Sequence, residues 1–396
     1  MEQLSIWVLA VAMVVLVTPL FLNLALCIAG SFFGVRRPTD TGKKPIDLAL
    51  VVPAHDEELM IARTLESVRA ADPSIQVFVI AHNCADSTAS VAADAGAQVV
   101  QLNNPSLRGK GAALREGFSA ALGAGANAVL VIDADSIVSP NLVSATRAAL
   151  EEGAEATQCR YELELPDFRL GSTFIDPLAR LRLLAFRGMN VVRPGGRAGL
   201  GFSTGIFGNG FALTAATLQR VPFNANSIAE DAEYSTRLVS AGVRVNWVAD
   251  AFVHARIPGT WATQASQEAR WEGGRMRVAS QSTGRLLSAM LHGNWRTFET
   301  LTDVWSLPLS RGIIALLLTA ALPLQWLHIY AFACAAIAMI YVVQSALLGS
   351  EPMRDLTALV AAPLYLLWKA VITPLVLRQS RSRASWARTK REVELP

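Results

Sequence analysis

The residues best suited to chemistry are acidic and fall in two short groups, Asp133-Ala134-Asp135 and Glu230-Asp231. The first follows the apolar run from Ala128 to Ile132, which reads as a buried strand, so its carboxylates stand at the strand's carboxyl end. In a parallel sheet that edge is where ligands bind. Two hard oxygen donors there suit a divalent cation such as Mg2+ or Mn2+, which keeps coordination sites open for phosphate oxygens and neutralises a departing diphosphate. Asp after a strand is also simply a good turn former. Glu230-Asp231 offers a carboxylate able to take the proton of an attacking hydroxyl; an acidic pair is equally what a helix N-terminus favours. His254, after a strand, is a further candidate metal ligand, although such a histidine is more often packed.

Gln267, Arg270 and Trp271 fall at i, i+3 and i+4, on one face of a helix. A guanidinium grips phosphate oxygens, and an indole offers a flat apolar platform for a sugar ring. The same pattern would serve an amphipathic interface helix. Lys110 stands near a helix start, aimed at a diphosphate. Around it, Asn104 to Gly111 lacks the leading glycine and the final hydroxyl of a phosphate loop, which rules out an ATPase of that type. No GxGxxG follows the first strand, which disfavours a nicotinamide dehydrogenase.

The elements that must position these groups alternate. β-rich apolar runs at 48–52, 76–80, 97–100 and 128–132 are separated by helical segments at 57–71, 87–95 and 111–122. That alternation implies an α/β domain with a parallel sheet covered on both faces, whose ligand loops begin at Pro53, Ala81 and Asp133. Residues 157–250 are less regular, with a helix expected at 177–189 and another at 232–240. The Gly-rich stretch 195–210 reads as backbone approaching a ligand or as a surface loop.

Of 396 residues, 52% are apolar and 17% charged, against roughly 25% charged in a soluble domain, so part of the chain is expected to face lipid. A net charge of +3, without a basic stripe interleaved with aromatics, excludes a nucleic-acid partner. Cys27, Cys84, Cys159 and Cys334 have neither disulfide-framework nor zinc spacing and fit a reducing compartment. Leu4 to Val35 carries no charge, which reads as an uncleaved membrane anchor. Arg36, Arg37, Lys43 and Lys44 after it place the following domain in the cytosol, at the plasma membrane. The expected division is an anchor at 1–35, a catalytic domain at 36–277, interfacial helices at 278–311, membrane segments at 312–377 and a basic tail at 378–396. The uncharged stretch 312–350 has room for two spans. Residues 356–377, with Pro363, Lys369 and Pro374, read as re-entrant or interfacial, which keeps the tail inside; a third full span would put it outside.

Taken in order, these motifs resemble the membrane-integrated family 2 glycosyltransferases, the group of cellulose, hyaluronan and poly-N-acetylglucosamine synthases. Val51 to Glu58 looks like the family's opening nucleotide loop, and Ala81 to Thr88 like its second, where Asp86 would contact the base. The resemblance implies a GT-A fold, a nucleotide-sugar donor (usually UDP-linked), Mg2+ or Mn2+, and inversion at the anomeric carbon. It implies Asp231 as base beside Glu230, Asp135 as main metal ligand and Asp133 as donor contact. Pro53, Ala54, His55, Glu57 and Lys110 would bind the donor, with Gln267, Arg270 and Trp271 closing over it. Ala229 replaces the usual Thr of the acidic motif, and Asp56 stands where Asn is common. The acceptor implied is a growing cell-surface or exopolysaccharide chain. The alternatives are a lipid (polyprenyl diphosphate or sphingolipid type) given one sugar, and a non-catalytic sugar-nucleotide scaffold.

Overall fold

A computed structural model describes residues 2–35, 45–107, 109–164, 175–225, 229–256 and 261–381. In chain order it contains α1 (Glu2–Ser31), β1 (Leu48–Ala54), α2 (Ile61–Ala71), β2 (Gln76–His82), α3 (Thr88–Asp94), β3 (Gln98–Leu102), α4 (Lys110–Gly123), β4 (Ala128–Val131), β5 (Ile137–Val138) and α5 (Leu142–Glu151). The less regular half supplies β6 (Ala156–Glu164), α6 (Ile175–Arg187), a π-helical turn at Gly188–Val192, α7 (Arg193–Gly199), β7 (Phe211–Thr214), α8 (Ala215–Arg220), α9 (Glu230–Ser240) and β8 (Val245–Arg256). Then come α10 (Trp261–Leu291), α11 (Thr297–Trp305), α12 (Leu309–Ala320), α13 (Gln325–Leu347), α14 (Pro352–Thr357), α15 (Ala362–Val371) and α16 (Thr373–Arg381).

The strands form one sheet in the order β3-β2-β1-β4-β7-β6-β8-β5. β1 pairs in parallel with β2 and β4, and β2 with β3, as the alternating pattern requires. The rest of the sheet is mixed: β7 runs antiparallel between β4 and β6, and β5 is antiparallel to β8. The sheet is therefore mixed rather than mostly parallel, because β7 enters from the Gly-rich segment without a crossover helix. Successive residues of β1 bury on opposite faces. Leu50 and Val52 pack with Ile61, Leu65 and Leu142, while Ala49 and Val51 pack with Leu114, Phe118 and Tyr234. Each such fully buried large side chain contributes roughly 1.5–3 kcal/mol, so the sheet edge carrying the loops rests on a stiff core.

Two helices, α1 and α13, are long and apolar enough to cross a membrane. Two further pairs qualify only as bent units: α11 with α12, at 73°, and the segment Pro352–Val371 with its continuation at Thr373–Ser380, at 42°. Within 312–350 the structure therefore has one full-length helix, not two, since α12 has 12 residues. The break near Pro374 follows from proline's missing amide, and a bend of 42° there fits a broken span as well as the expected re-entrant segment. α1 packs through Val17, Leu20 and Leu24 on Leu316, Ala338 and Tyr341. Val8, Leu318, Phe332 and Leu367 remain exposed on the outside of these helices. The expected boundary at 277 falls inside α10, which continues to Leu291. The basic residues 36, 37, 43 and 44, and the tail from 382, lie outside the described residues.

The Gly-rich stretch divides by role. Its first half is α7, whose backbone touches α1: a Cβ on Gly196 would stand 2.1 Å from the Cys27 carbonyl oxygen. There glycine serves helix packing. Only the second half, beyond residue 204, reaches the ligand edge.

Candidate active site

Asp133 and Asp135 follow β4, and the buried amides of Asn209 and Gln158 hold that turn. The Asp133 amide donates to Asn209 Oδ1 at 3.1 Å, and Asn209 Nδ2 donates to Ser136 Oγ at 2.9 Å. Gln158 Nε2 in turn donates to the Asn209 carbonyl at 2.7 Å, while its Oε1 accepts from the Phe207 amide at 3.0 Å. The second half of the Gly-rich stretch is thus fixed beneath the acidic turn. Lys110, the first residue of α4, bonds Asp133 and donates to the Gly208 carbonyl at 2.6 Å. Gly208 adopts φ +78°, and a Cβ there would sit 3.3 Å from Asp231 Oδ2 and 3.6 Å from Lys110 Nζ. Lys110 and Asp231 therefore flank one backbone position whose positive φ favours glycine.

Glu230 and Asp231 begin α9, and Ala232 donates its amide to Asp231 Oδ1 at 2.7 Å. Burial, then the neighbouring Asp231, push the Glu230 carboxyl up to about 8, with Lys110 pulling the other way. Asp231 is also raised by burial, opposed by the Ala232 amide and Lys110. Burial works against the Lys110 charge, but Asp133, Glu230 and Asp231 outweigh it and hold the ammonium above the ordinary lysine value. With both carboxyls raised by burial and set side by side, a doubly ionised pair is disfavoured.

α10 carries Gln267, Arg270 and Trp271 to the same cavity, which measures about 980 Å³ and also takes in Pro53, Ala54, His55 and Glu57. Asp135, Asp231 and Arg270, far apart in sequence, line it together. α10 approaches closely: a Cβ on Gly274 would stand 2.9 Å from Ala229 Cβ. That contact accounts for glycine at 274, where any side chain would meet Ala229.

Two expected residues stand apart from the cavity lining. Asp86 caps its own turn, accepting from the Thr88 amide at 2.9 Å and, through its other oxygen, from the Glu58 amide at 3.1 Å. It ties the two nucleotide-type loops together, as does Asp56, which adopts φ +52° and accepts from the Ala85 amide at 2.7 Å. His254 pairs with Ile137 of β5, two residues after Asp135, but its ring stacks on Phe252 at 4.4 Å and its Nε2 lies 3.5 Å from Glu162 Oε2. Among the described residues, Asp133, Asp135 and His254 do not gather into a three-ligand cluster.

Sequence reading passed over several residues of the cavity. Tyr161 on β6 is one: burial first, then Asp133, Asp135 and Asp231, raise its phenol far above the usual tyrosine value. Its ring stands edge-on to Phe186 at 5.1 Å, and Phe186 lies 6.2 Å from Trp271. His82 and Asn83 also face the cavity; they lie inside the expected second nucleotide loop, where no role was assigned to either. His82 Nε2 contacts the Leu107 carbonyl at 2.8 Å, and burial lowers its pKa. Tyr161 and Phe186 had no local signal, because they lie in the irregular half and meet only through tertiary packing.

A pair of carboxylates beside a turn suits a hard cation through donor chemistry alone. The ammonium already drawn onto Asp133 marks the same position as one that needs positive charge.

Residues 45–274 match the family described as glycosyltransferase-like family 2. Protein RfbJ of Shigella flexneri is 34% identical over 89 residues, covering 22% of this chain and 64% of that protein. The probable glycosyltransferase YdaM of Bacillus subtilis is 24% identical over 243 residues, covering 58% of this chain and 56% of its own length. The chain thus spans less than two thirds of either relative. Among solved structures, the mannosyltransferase PcManGT from Pyrobaculum calidifontis, in complex with GDP-Man and Mn2+, aligns over 94% of this chain and 97% of its own, with TM-score 0.54 and 16% identity. At that identity the likeness is one of fold, and it extends through the apolar helices as well as the sheet. With the matched region covering the sheet, both acidic motifs and the Gln267-to-Trp271 face, the chain belongs to glycosyltransferase family 2.

Proposed function

We propose that this protein is a membrane-bound, inverting glycosyltransferase that moves one sugar from a nucleotide-sugar donor to an acceptor carried on a lipid. The observation that carries this reading is the continuity of the cavity. The space beside Lys110, Asp133 and Asp231 runs on to α1, α13 and α15, where Leu20, Leu24, Val342 and Leu366 line it together with Asn23, Arg193, Asp303 and Lys369. A lengthening polysaccharide would need a hydrophilic path throughout that end, whereas apolar side chains interspersed with charged ones suit a lipid that carries a polar headgroup. The exposed apolar faces of α1 and α13 support seating in a bilayer; the basic residues that follow α1 in the sequence favour a catalytic domain on the cytosolic side of the plasma membrane.

In this reading Asp231 takes the proton of the acceptor hydroxyl as its oxygen attacks the anomeric carbon from the face opposite the diphosphate. The carbon–oxygen bond to the diphosphate breaks, and its electron pair leaves with the nucleotide. Protonated Glu230 keeps a second negative charge away from Asp231. Lys110 meets the diphosphate, Arg270 holds its oxygens, and Trp271 covers the sugar. Mg2+ or Mn2+ at Asp133 and Asp135 would supply Lewis-acid neutralisation of the leaving group.

The test is a panel of radiolabelled sugar nucleotides given to detergent-purified protein with Mn2+ and a membrane lipid extract. The expected product is a single, organic-soluble glycolipid, and Asp231→Asn should lower its formation by about 10²–10⁴-fold while nucleotide binding persists. A water-soluble ladder of increasing length would overturn single transfer, and full activity in Asp231→Asn would overturn the base.

A further inference from the structure

Beyond the donor end, the cavity passes a charged cluster that the transfer mechanism does not use. Glu268 and Glu272 of α10 are one helical turn apart and face three cations from three other elements. Lys369 of α15 bonds Glu268 and reaches Glu272 Oε1 at 2.9 Å. Arg311 of α12 donates to Glu272 Oε2 at 2.6 Å. Arg182 of α6 stands with Nε 3.7 Å from Glu268 Oε1, beyond hydrogen-bond reach. Three cations against two carboxylates leave a surplus of positive charge in a setting where Arg182 is 7% exposed and Lys369 4%. Among the described residues, neither Nε nor Nη1 of Arg182 has a hydrogen-bond partner.

A buried guanidinium with donors to spare is costly unless something anionic completes it. Its side chain lines the cavity together with Tyr365 and Leu366, and its α6 neighbours Leu181 and Leu184 pack with Tyr365 in one apolar cluster. A planar fork of donors at the junction of polar and apolar walls matches a phosphoryl group bearing a hydrocarbon tail. We infer that Arg182, backed by the positive surplus around Glu268 and Glu272, binds the phosphoryl group that joins the acceptor to its lipid. This deepens and rests on the lipid-acceptor reading. The headgroup is held at Arg182 while the acceptor's hydroxyl extends toward Asp231 and the tail lies among α1, α13 and α15. Neutral glycerolipids and ceramides lack the group that Arg182 requires.

The experiment uses the full chain in detergent, saturated with UDP and Mn2+ so that the donor site is closed to phosphate. Binding of farnesyl phosphate, farnesol and inorganic phosphate is followed by tryptophan fluorescence. Farnesyl phosphate should bind at least tenfold more tightly than either of the others. Arg182→Gln should erase at least tenfold of that affinity and leave UDP affinity unchanged. Arg182→Lys, which keeps the charge without the fork, should lose less and guards against misfolding of the glutamine variant. If farnesyl phosphate and farnesol bind equally, or if Arg182→Gln changes neither, the phosphoryl site is wrong although the lipid reading stands. If neither lipid binds, the lipid-acceptor reading fails and takes the inference with it. Tight binding of inorganic phosphate alone would mark an anion site unrelated to lipid and overturn the inference.

Discussion

Replacing Glu230 by glutamine should stabilise the protein in a way that depends on pH. In the folded state burial and the adjacent Asp231 push the Glu230 carboxyl from 4.5 to about 8; in the unfolded chain it returns to its ordinary value. The unfolded state therefore releases this proton near pH 4.5, while the folded state keeps it until about pH 8. The contribution is fully present below the lower value, declines between the two, and is lost above the upper one. A rise from 4.5 to about 8 corresponds to on the order of 5 kcal/mol. Glu230 keeps part of its surface open to the cavity, which screens the charge, so about half of that, roughly 2–3 kcal/mol, is expected. Glutamine has the same shape and no charge to bury. The gap in melting temperature between Glu230→Gln and the parent should be near zero at pH 4.5 and open to roughly 2–4 °C by pH 8.5. The assay is thermal unfolding by intrinsic fluorescence across that range, in chelator and without nucleotide, so that neither ligand shifts the pair. A gap that stays flat with pH, or widens toward acid, would refute the argument, because it would mean Glu230 is ionised in the folded protein at neutral pH.

Three other perturbations test separate parts of the structure. Chelation by EDTA should reduce sugar transfer to background and Mn2+ should restore it, whereas Asp135→Asn should remain inactive after Mn2+ is returned; transfer that persists in EDTA would remove the metal from the proposal. Gly210→Ala should cost roughly 2–5 kcal/mol, since φ is +70° and the new Cβ would stand 2.2 Å from Cys159 Sγ and 2.9 Å from Val253 Cγ2. An unaltered melting temperature would show that β6, β7 and β8 are not packed as described. Lys369→Met should destabilise by about 1–3 kcal/mol, because Glu268 is left with only the longer Arg182 pair while Glu272 keeps Arg311. Adding Glu268→Gln should recover part of that loss, and a double variant no better than the single one, read by thermal aggregation in detergent, would sink the ion-pair account.

Much of the site was legible because its residues sit where strand periodicity ends. Asp133 and Asp135 follow a run of buried apolar residues, and the loops after β1 and β2 begin where Pro53 and Ala81 close theirs. Gln267, Arg270 and Trp271 were readable because helix geometry alone puts them on one face, and that face does reach the cavity. What was hidden depended on distant contacts. β7 has four residues and no alternating pattern, so nothing local announced that it would run against its neighbours. Likewise α7 looked like a loop, because glycines that favour loops in isolation are needed here to let α1 come within contact of the backbone. Asp86 shows the opposite failure. Its place in the second loop was foreseen, but hydrogen bonds to Thr88 and Glu58 turn its carboxylate to holding the loops rather than facing the cavity.

The interleaving of two patterns on α10 explains why a domain of this kind cannot be understood apart from its apolar helices. Gln267, Arg270 and Trp271 share one face; Glu268 and Glu272 share another, about 100° around the helix. The first set faces the donor end of the cavity, while the second is tied by Lys369 and Arg311 to α15 and α12. Arg275 adds a third tie, donating to the Asp303 carbonyl of α11 at 3.1 Å. The position of Arg270 in the cavity is therefore set from segments 28 to 97 residues later in the chain than the α10 residues they hold. Because Gly274 lets the same helix press against Ala229, any shift of α12 or α15 is passed to the acidic pair as well as to the donor clamp. A protein whose acceptor arrives along those helices would gain from that linkage, since occupancy at the apolar end and closure at the catalytic end are borne by one rigid element.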